Sequence, residues 1–168
     1  IARVDSLDPT SYAAKCGLMF RENMTASSRM IYVSVIAAAD GNGTQHQLIW
    51  RATAGQNAAG LVHDSTPILP AQGWLRLTRQ GNTFSGYYST NDSNWNLIGS
   101  SQLISMASSA YVGLAVTAQD NSEVCGAVFD NLALTQWPTT TSLSSSTNPS
   151  TYGGSITLAA LVTTTNGV

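Results

Sequence analysis

Charge is scarce in this 168-residue chain. Seven Lys and Arg and nine Asp and Glu amount to 10% of the residues, against about 25% in an ordinary globular protein. The solvent-facing surface must therefore be built from Ser, Thr, Asn, Gln and Gly, as in many secreted β-proteins. A net charge of -2 supplies no cationic field for nucleic acid or anionic lipid, so neither is an expected partner. No apolar run approaches the roughly 20 residues that cross a bilayer as a helix, and no membrane insertion is expected. Glutamate occurs only as Glu22 and Glu123. A glycosidase needs two carboxylates flanking the scissile bond at about 5–9.5 Å. Glu22 follows Arg21 at a strand end and reads as an ion-paired rim residue, so acid-pair catalysis is not expected.

Cysteine and histidine are also few. Cys16 and Cys125 lie far apart in sequence. In an oxidising compartment a bridge between them would close a loop of about 100 residues and stabilise the fold by about 4–5 kcal/mol in the chain-entropy model. The alternative is two small buried thiols, a common fate of free Cys. His46 and His63 are not at ligand spacing with either cysteine, which argues against zinc. A signal peptide and an initiating Met are missing as well, since Ile1 opens directly in strand-like sequence. The chain is expected to be a piece of a longer polypeptide.

What is present is period-two alternation. From Trp74 to Trp95 apolar and polar residues alternate on both sides of a Gly81-Asn82 turn, and a second turn at Asn91-Asp92-Ser93 leads into Trp95. Such alternation marks antiparallel strands with one buried and one wet face. Further strands are predicted at Ile1–Val4, around Cys16, Leu18 and Phe20, at Met30–Ala38, Gln45–Arg51, Trp95–Ile98, Tyr111–Val116 and Val124–Leu134. Asp40-Gly41-Asn42-Gly43 reads as a tight hairpin turn, and residues 54–73 read as irregular. With no convincing helix, the pattern predicts an all-β sandwich of two antiparallel sheets.

At Trp137 the composition shifts. The expected organisation is a sandwich over residues 1–136, a Ser/Thr/Pro-rich linker or edge strand over 137–150, and a short β segment over 151–168. Ile156, Leu158, Ala160 and Val162 alternate as one strand would. Two strands cannot bury a core alone.

Several phrases resemble one family. Ala14-Lys15-Cys16-Gly17-Leu18-Met19-Phe20-Arg21-Glu22 is similar to an "AKAGVMIRE" strand in a bacterial secreted branch of the concanavalin A-like lectin/glucanase superfamily. Trp74–Arg79, Gly81–Phe84, Gly86–Ser89, Trp95, Tyr111–Thr117 and Phe129–Leu132 resemble its later blocks. The resemblance implies a jelly-roll sandwich that is N-terminally truncated, lacking the family's opening strand. It also implies an extracellular or cell-surface location and a carbohydrate-binding role. The family's catalytic members carry a Glu-x-Asp-x-x-Glu strand, which this chain lacks. Residues 139–158 resemble the first strands of a bacterial Ig-like repeat, which implies a multidomain surface protein.

The candidate binding residues are aromatic, because sugar rings stack on exposed Trp and Tyr faces while polar neighbours fix the hydroxyls. Trp50, Trp74, Tyr87, Tyr88 and Trp95 are the candidates, with Arg51 and Arg76 as polar partners, and Trp50, Arg76, Tyr87 and Trp95 are selected from them. If Leu75 and Leu77 point inward, Trp74 and Arg76 share the opposite face; an inward Phe84 carries Tyr88 inward and exposes Tyr87. Ser89–Trp95 resembles a degenerate Asp-box, a turn capped by an acidic side chain with the aromatic beneath it. Asp130-Asn131 offers oxygen ligands that suit calcium, although the favoured reading is a hydrogen bond to a neighbouring loop. No other cofactor is expected. The chain is thus expected to be a non-catalytic module whose partner is a polysaccharide or glycan. The alternatives are a structural subunit of a stalk or filament, in which copies or neighbouring domains complete one another's open sheet edges, and, more remotely, a glycoside hydrolase.

Overall fold

The computed structural model describes residues 1–8, 10–37, 44–63, 73–136, 139–149 and 152–164. The described residues form β1 (Ala2–Leu7), β2 (Lys15–Arg21), β3 (Met30–Ala37), β4 (Thr44–Arg51), β5 (Ala59–His63), β6 (Gly73–Gln80), β7 (Thr83–Ser89), β8 (Asn96–Leu97), β9 (Gln102–Leu103), β10 (Tyr111–Thr117), β11 (Ala127–Asp130), β12 (Thr139–Ser145) and β13 (Leu158–Thr164). The protein is all-β, and every pairing is antiparallel. Two units separate, Ile1–Ala133 and Leu134–Val168.

The first unit holds two sheets. One runs β11-β1-β6-β7-β8, with β9 also on β7; the other runs β10-β2-β3-β4-β5. Alternation dictates which side chains meet between them. In the second sheet Cys16, Leu18 and Phe20 lie opposite Val35, Val33 and Ile31, and Val33 lies opposite Leu48. In the first, Val4, Leu75, Leu77, Phe84, Tyr88 and Phe129 point the same way. These residues form one hydrophobic cluster drawn from both sheets, the defining feature of a β-sandwich. Phe20 meets Phe84 edge-to-face across the layers at 5.7 Å and 68°. Fully buried side chains such as Phe84, Leu75 and Leu48 each contribute about 1.5–3 kcal/mol. β7 carries Gly86 facing the other layer, and a Cβ there would sit 2.7 Å from Leu48 Cδ1 and 3.2 Å from Val33 Cγ2.

The few arginines tie loops down. Arg79 donates to the carbonyls of Gly81 (2.9 Å), Met106 (2.8 Å) and Ala107 (2.6 Å), fastening the segment after β9 to the β6–β7 hairpin. Arg51 donates to the carbonyls of Ala26 and Ser28. Arg29 pairs with Glu22 at 2.8 Å. Charged side chains here replace backbone partners that the loops lack.

In the second unit β12 and β13 form a hairpin in register from Thr139 against Thr164 to Ser145 against Leu158. Leu143, Leu158 and Leu161 are exposed on it, since a two-stranded ribbon cannot bury a core of its own.

Several expectations need correction. The stretch 54–73 is not wholly irregular, because Ala59–His63 is a strand on the edge of β4. Its signal was hidden by Gly60, whose φ of 71° belongs to no ordinary strand; a Cβ there would collide with the Trp50 ring. The segment at Ile1 is longer than expected and lies between β11 and β6. The strand expected over Trp95–Ile98 shrinks to Asn96–Leu97, and that over Val124–Leu134 to Ala127–Asp130. The Thr- and Ser-rich run after Pro138 contains strand β12. The predicted turn at residues 40–43 and the residues Trp137 and Pro138 lie outside the described residues.

Candidate functional site

The outer face of the first sheet gathers most of the selected residues. Leu75 is fully buried and Leu77 packs against the core, so Trp74 and Arg76, which alternate with them on β6, point outward. On β7, Phe84 is buried and Tyr88 packs against the core, its ring stacked on His46 at 4.2 Å and 19°. Tyr87 is therefore carried to the outer face. Register then places Arg76 opposite Tyr87, Tyr87 opposite Leu97, and Trp74 opposite Ser89.

The loop after β7 delivers the fourth group. Asn91 Oδ1 accepts the backbone N–H groups of Ser93 (3.0 Å) and Asn94 (2.9 Å) and the hydroxyl of Ser89 (3.1 Å). Asp92 takes a φ of 58°, a left-handed conformation that Asp tolerates better than most residues. The turn is thus capped by Asn91 and not by the expected acidic side chain. It returns the chain so that Trp95 lies against Arg76.

The outcome is a guanidinium in contact with two aromatic rings. Arg76 Cζ is 4.4 Å from the Tyr87 centroid and 4.5 Å from that of Trp95. Each such contact is worth about 0.5–2 kcal/mol, more as water is excluded. Arg76 Nε is buried and has no hydrogen-bond partner among the described residues. A guanidinium held against two rings keeps planar N–H donors that acceptor oxygens of a ligand can meet. Beside it, Arg3 lies opposite Trp74 and bridges Asp130 (2.9 Å) and Asp5 (3.3 Å).

Trp50 stands apart from this group. It belongs to β4 of the other sheet, in register with the fully buried Ile31, and packs against the core above Gly60. Strand alternation turned it inward, so it is a packing residue. Asp130 spends its carboxylate on Arg3, with Asn131 Nδ2 donating to it at 3.3 Å. Its partner is a residue of the neighbouring strand and not of the expected loop. Among the described residues no cluster of three or more His, Cys, Asp or Glu is placed to hold a metal.

Glu22 accepts the Ala107 N–H (3.1 Å) and pairs with Arg29. The hydrogen bond from Ala107, then Arg29, holds its carboxyl below the ordinary carboxylate range. Cys16 and Cys125 are both free thiols bordering the same core. Burial, then the neighbouring Cys125, pushes the Cys16 thiol up to about 12, while Cys125 Sγ donates to the Asp8 carbonyl at 3.2 Å. No helix among the described residues is long and apolar enough to cross a membrane.

Sequence reasoning placed Trp74 on the Arg76 face by alternation but missed Asn91 as the residue that positions Trp95. That signal was present, because Asn three residues before Asn94 is an Asx-turn pattern. Compared with known proteins, the chain matches no family model and no curated protein sequence.

Proposed function

We propose that this chain is a non-catalytic carbohydrate-binding module of a secreted or cell-surface protein, with a concanavalin A-like jelly roll as its sandwich and the start of an Ig-like unit behind it. The observation that carries the reading is the Arg76 guanidinium in contact with the Tyr87 and Trp95 rings on an outward sheet face, with Trp74 on the same face of β6. A pyranose presents C–H groups on its faces and hydroxyls around its edge. Aromatic rings suit the first and a fixed, planar set of N–H donors suits the second. The rigid sheet holds these groups in place before the ligand arrives, which lowers the entropy cost of binding. The resemblance of the Trp74–Trp95 blocks to a lectin-like family points to the same ligand class, and the shortage of paired acidic residues supports a role without bond cleavage.

The test is a glycan array followed by calorimetry on the strongest hit. Tyr87→Ala and Arg76→Ala are each expected to weaken binding by about tenfold or more, as centrally placed aromatic and Arg contacts do. Trp50→Ala is expected to leave affinity unchanged in the folded protein. Binding to no polysaccharide, or equal binding by all three variants, refutes the reading.

A further inference from the structure

The two-sheet unit ends in several edge strands, and they differ in how they are protected. β8 and β9 have two residues each. β11 has four, with a register shift opposite Val4 and Ser6. β5 has five, with a shift between Leu48 and Trp50. Short length, bulges and charge are the usual means of keeping a sheet edge from pairing with another chain. β10 has none of them. It runs seven residues, Tyr-Val-Gly-Leu-Ala-Val-Thr, in unbroken register with β2, without Pro or charge, and among the described strands β2 is its only neighbour.

Its inner face is also partly uncovered. Val112, Leu114 and Val116 lie opposite Phe20, Leu18 and Cys16, so they point to the core side. Leu18 and Cys16 are buried there, yet Val112, Leu114 and Val116 remain 42%, 43% and 43% exposed. Among the described residues the second layer covers them only in part.

We propose that β10 pairs with β10 of a second copy of this chain, antiparallel about a two-fold axis through Leu114. The sequence of the strand is close to its own reverse. On that axis Leu114 meets Leu114, Val112 meets Val116, and small Gly113 meets small Ala115, so both faces match. Nothing on the strand brings like charges together. Its flanks are complementary: the acidic end carrying Asp120 and Glu123 comes beside the partner's Tyr111 end. There Arg21 lies opposite Tyr111 and Arg79 holds the carbonyls of Met106, Ala107 and Ser108. Glu22 at that end is already matched by Arg29. The two five-stranded sheets become one continuous sheet, and the uncovered stripes merge into a single apolar strip. The uncovered inner side chains and Tyr111 present on the order of 300 Å² per copy, less than the ~800 Å² per partner of a standard interface. Main-chain hydrogen bonds along the strand add to it, so association is real but concentration-dependent. This pairing is independent of the saccharide reading, because β10 and the Arg76 face belong to different sheets.

The test uses the whole chain in sedimentation velocity across a concentration series reaching about 500 µM, a range suited to small interfaces. The wild type is expected to form dimers. Leu114→Lys and Leu114→Glu each place like charges face to face on the axis and should weaken self-association by about tenfold or more, whereas an equimolar mixture of the two should dimerise as a heterodimer. A wild type that stays monomeric, variants that dimerise like the wild type, or a mixture that fails to associate overturns the proposal. If either variant does not fold by circular dichroism, hydrogen exchange of the wild type decides. Protection of the Tyr111–Thr117 amides must then rise with protein concentration, and concentration-independent exchange overturns the pairing.

Discussion

Gly86→Ala probes a close approach of the two sheets of the sandwich. The added Cβ would lie 2.7 Å from Leu48 Cδ1 and 3.2 and 3.3 Å from Val33 Cγ2 and Cβ. Real carbon atoms do not approach to 2.7 Å, so either the Leu48 side chain turns or the sheets separate. Leu48 and Val33 are both fully buried, and neither can relax toward solvent. Overpacking of this kind costs about 1–3 kcal/mol. Against it stands the benefit of replacing Gly in a strand, about 0.5–1 kcal/mol. At mid-range values a net loss of about 1 kcal/mol follows. With a urea m-value of about 1–3 kcal/mol/M, the midpoint should fall by roughly 0.3–1 M at unchanged m. The decisive arm is the double variant. Leu48→Val alone should cost about 1 kcal/mol by leaving space. Combined with Gly86→Ala, the new methyl fills that space, so the pair should cost less than the sum by about 0.5–2 kcal/mol. A neutral Gly86→Ala, or strict additivity in the pair, would refute the close approach of the two sheets at this point.

Trp50→Ala should destabilise the fold by about 2–4 kcal/mol through the space left above Gly60, read from a thermal or urea melt; a change within 0.5 kcal/mol, roughly that of a surface site, would show that Trp50 is not packed inward. The Glu22 carboxyl is held below its ordinary range in the folded state, so its contribution is complete above its unfolded pKa and disappears as pH falls through the lower, folded value. Stability of the wild type should therefore decline with acid below about pH 4.5, and Glu22→Gln should flatten that limb while leaving the alkaline side alone. Identical acid limbs in urea titrations of the two proteins would discount the Ala107 and Arg29 contacts. Native protein at pH 8 should react with a thiol reagent at Cys125 only, because burial keeps Cys16 protonated, and unfolding should release the second thiol. Two fast thiols contradict the burial, and none before reduction means the pair is bridged.

Local pattern was enough for some of the site and useless for the rest. Inward Phe84 implied outward Tyr87, and inward Leu75 implied outward Arg76, because side chains alternate along any strand. The same rule could not reveal that Arg76 and Tyr87 are cross-strand partners until the register of the Gly81-Asn82 hairpin was known. The inward turn of Trp50 was not legible because alternation gives two faces without saying which faces the core; buried Ile31 across the ladder shows it. β5 was missed because a short edge strand containing a left-handed Gly owes its form to the neighbour it pairs with and to the indole it accommodates.

Sequence by itself determined the β class, since period two, frequent turn residues and scarce charge leave no helix with an apolar stripe and no field for polyanions. It also determined the change in character near Trp137. Tertiary structure alone decided which strands are neighbours, that Arg76 is in contact with Tyr87 and Trp95, and that β10 keeps an open edge with its apolar side partly uncovered. The reason is physical: alternation is a property of one strand, whereas register, layer overlap and edge exposure belong to pairs of strands distant in the chain, selected by the packing of one shared core.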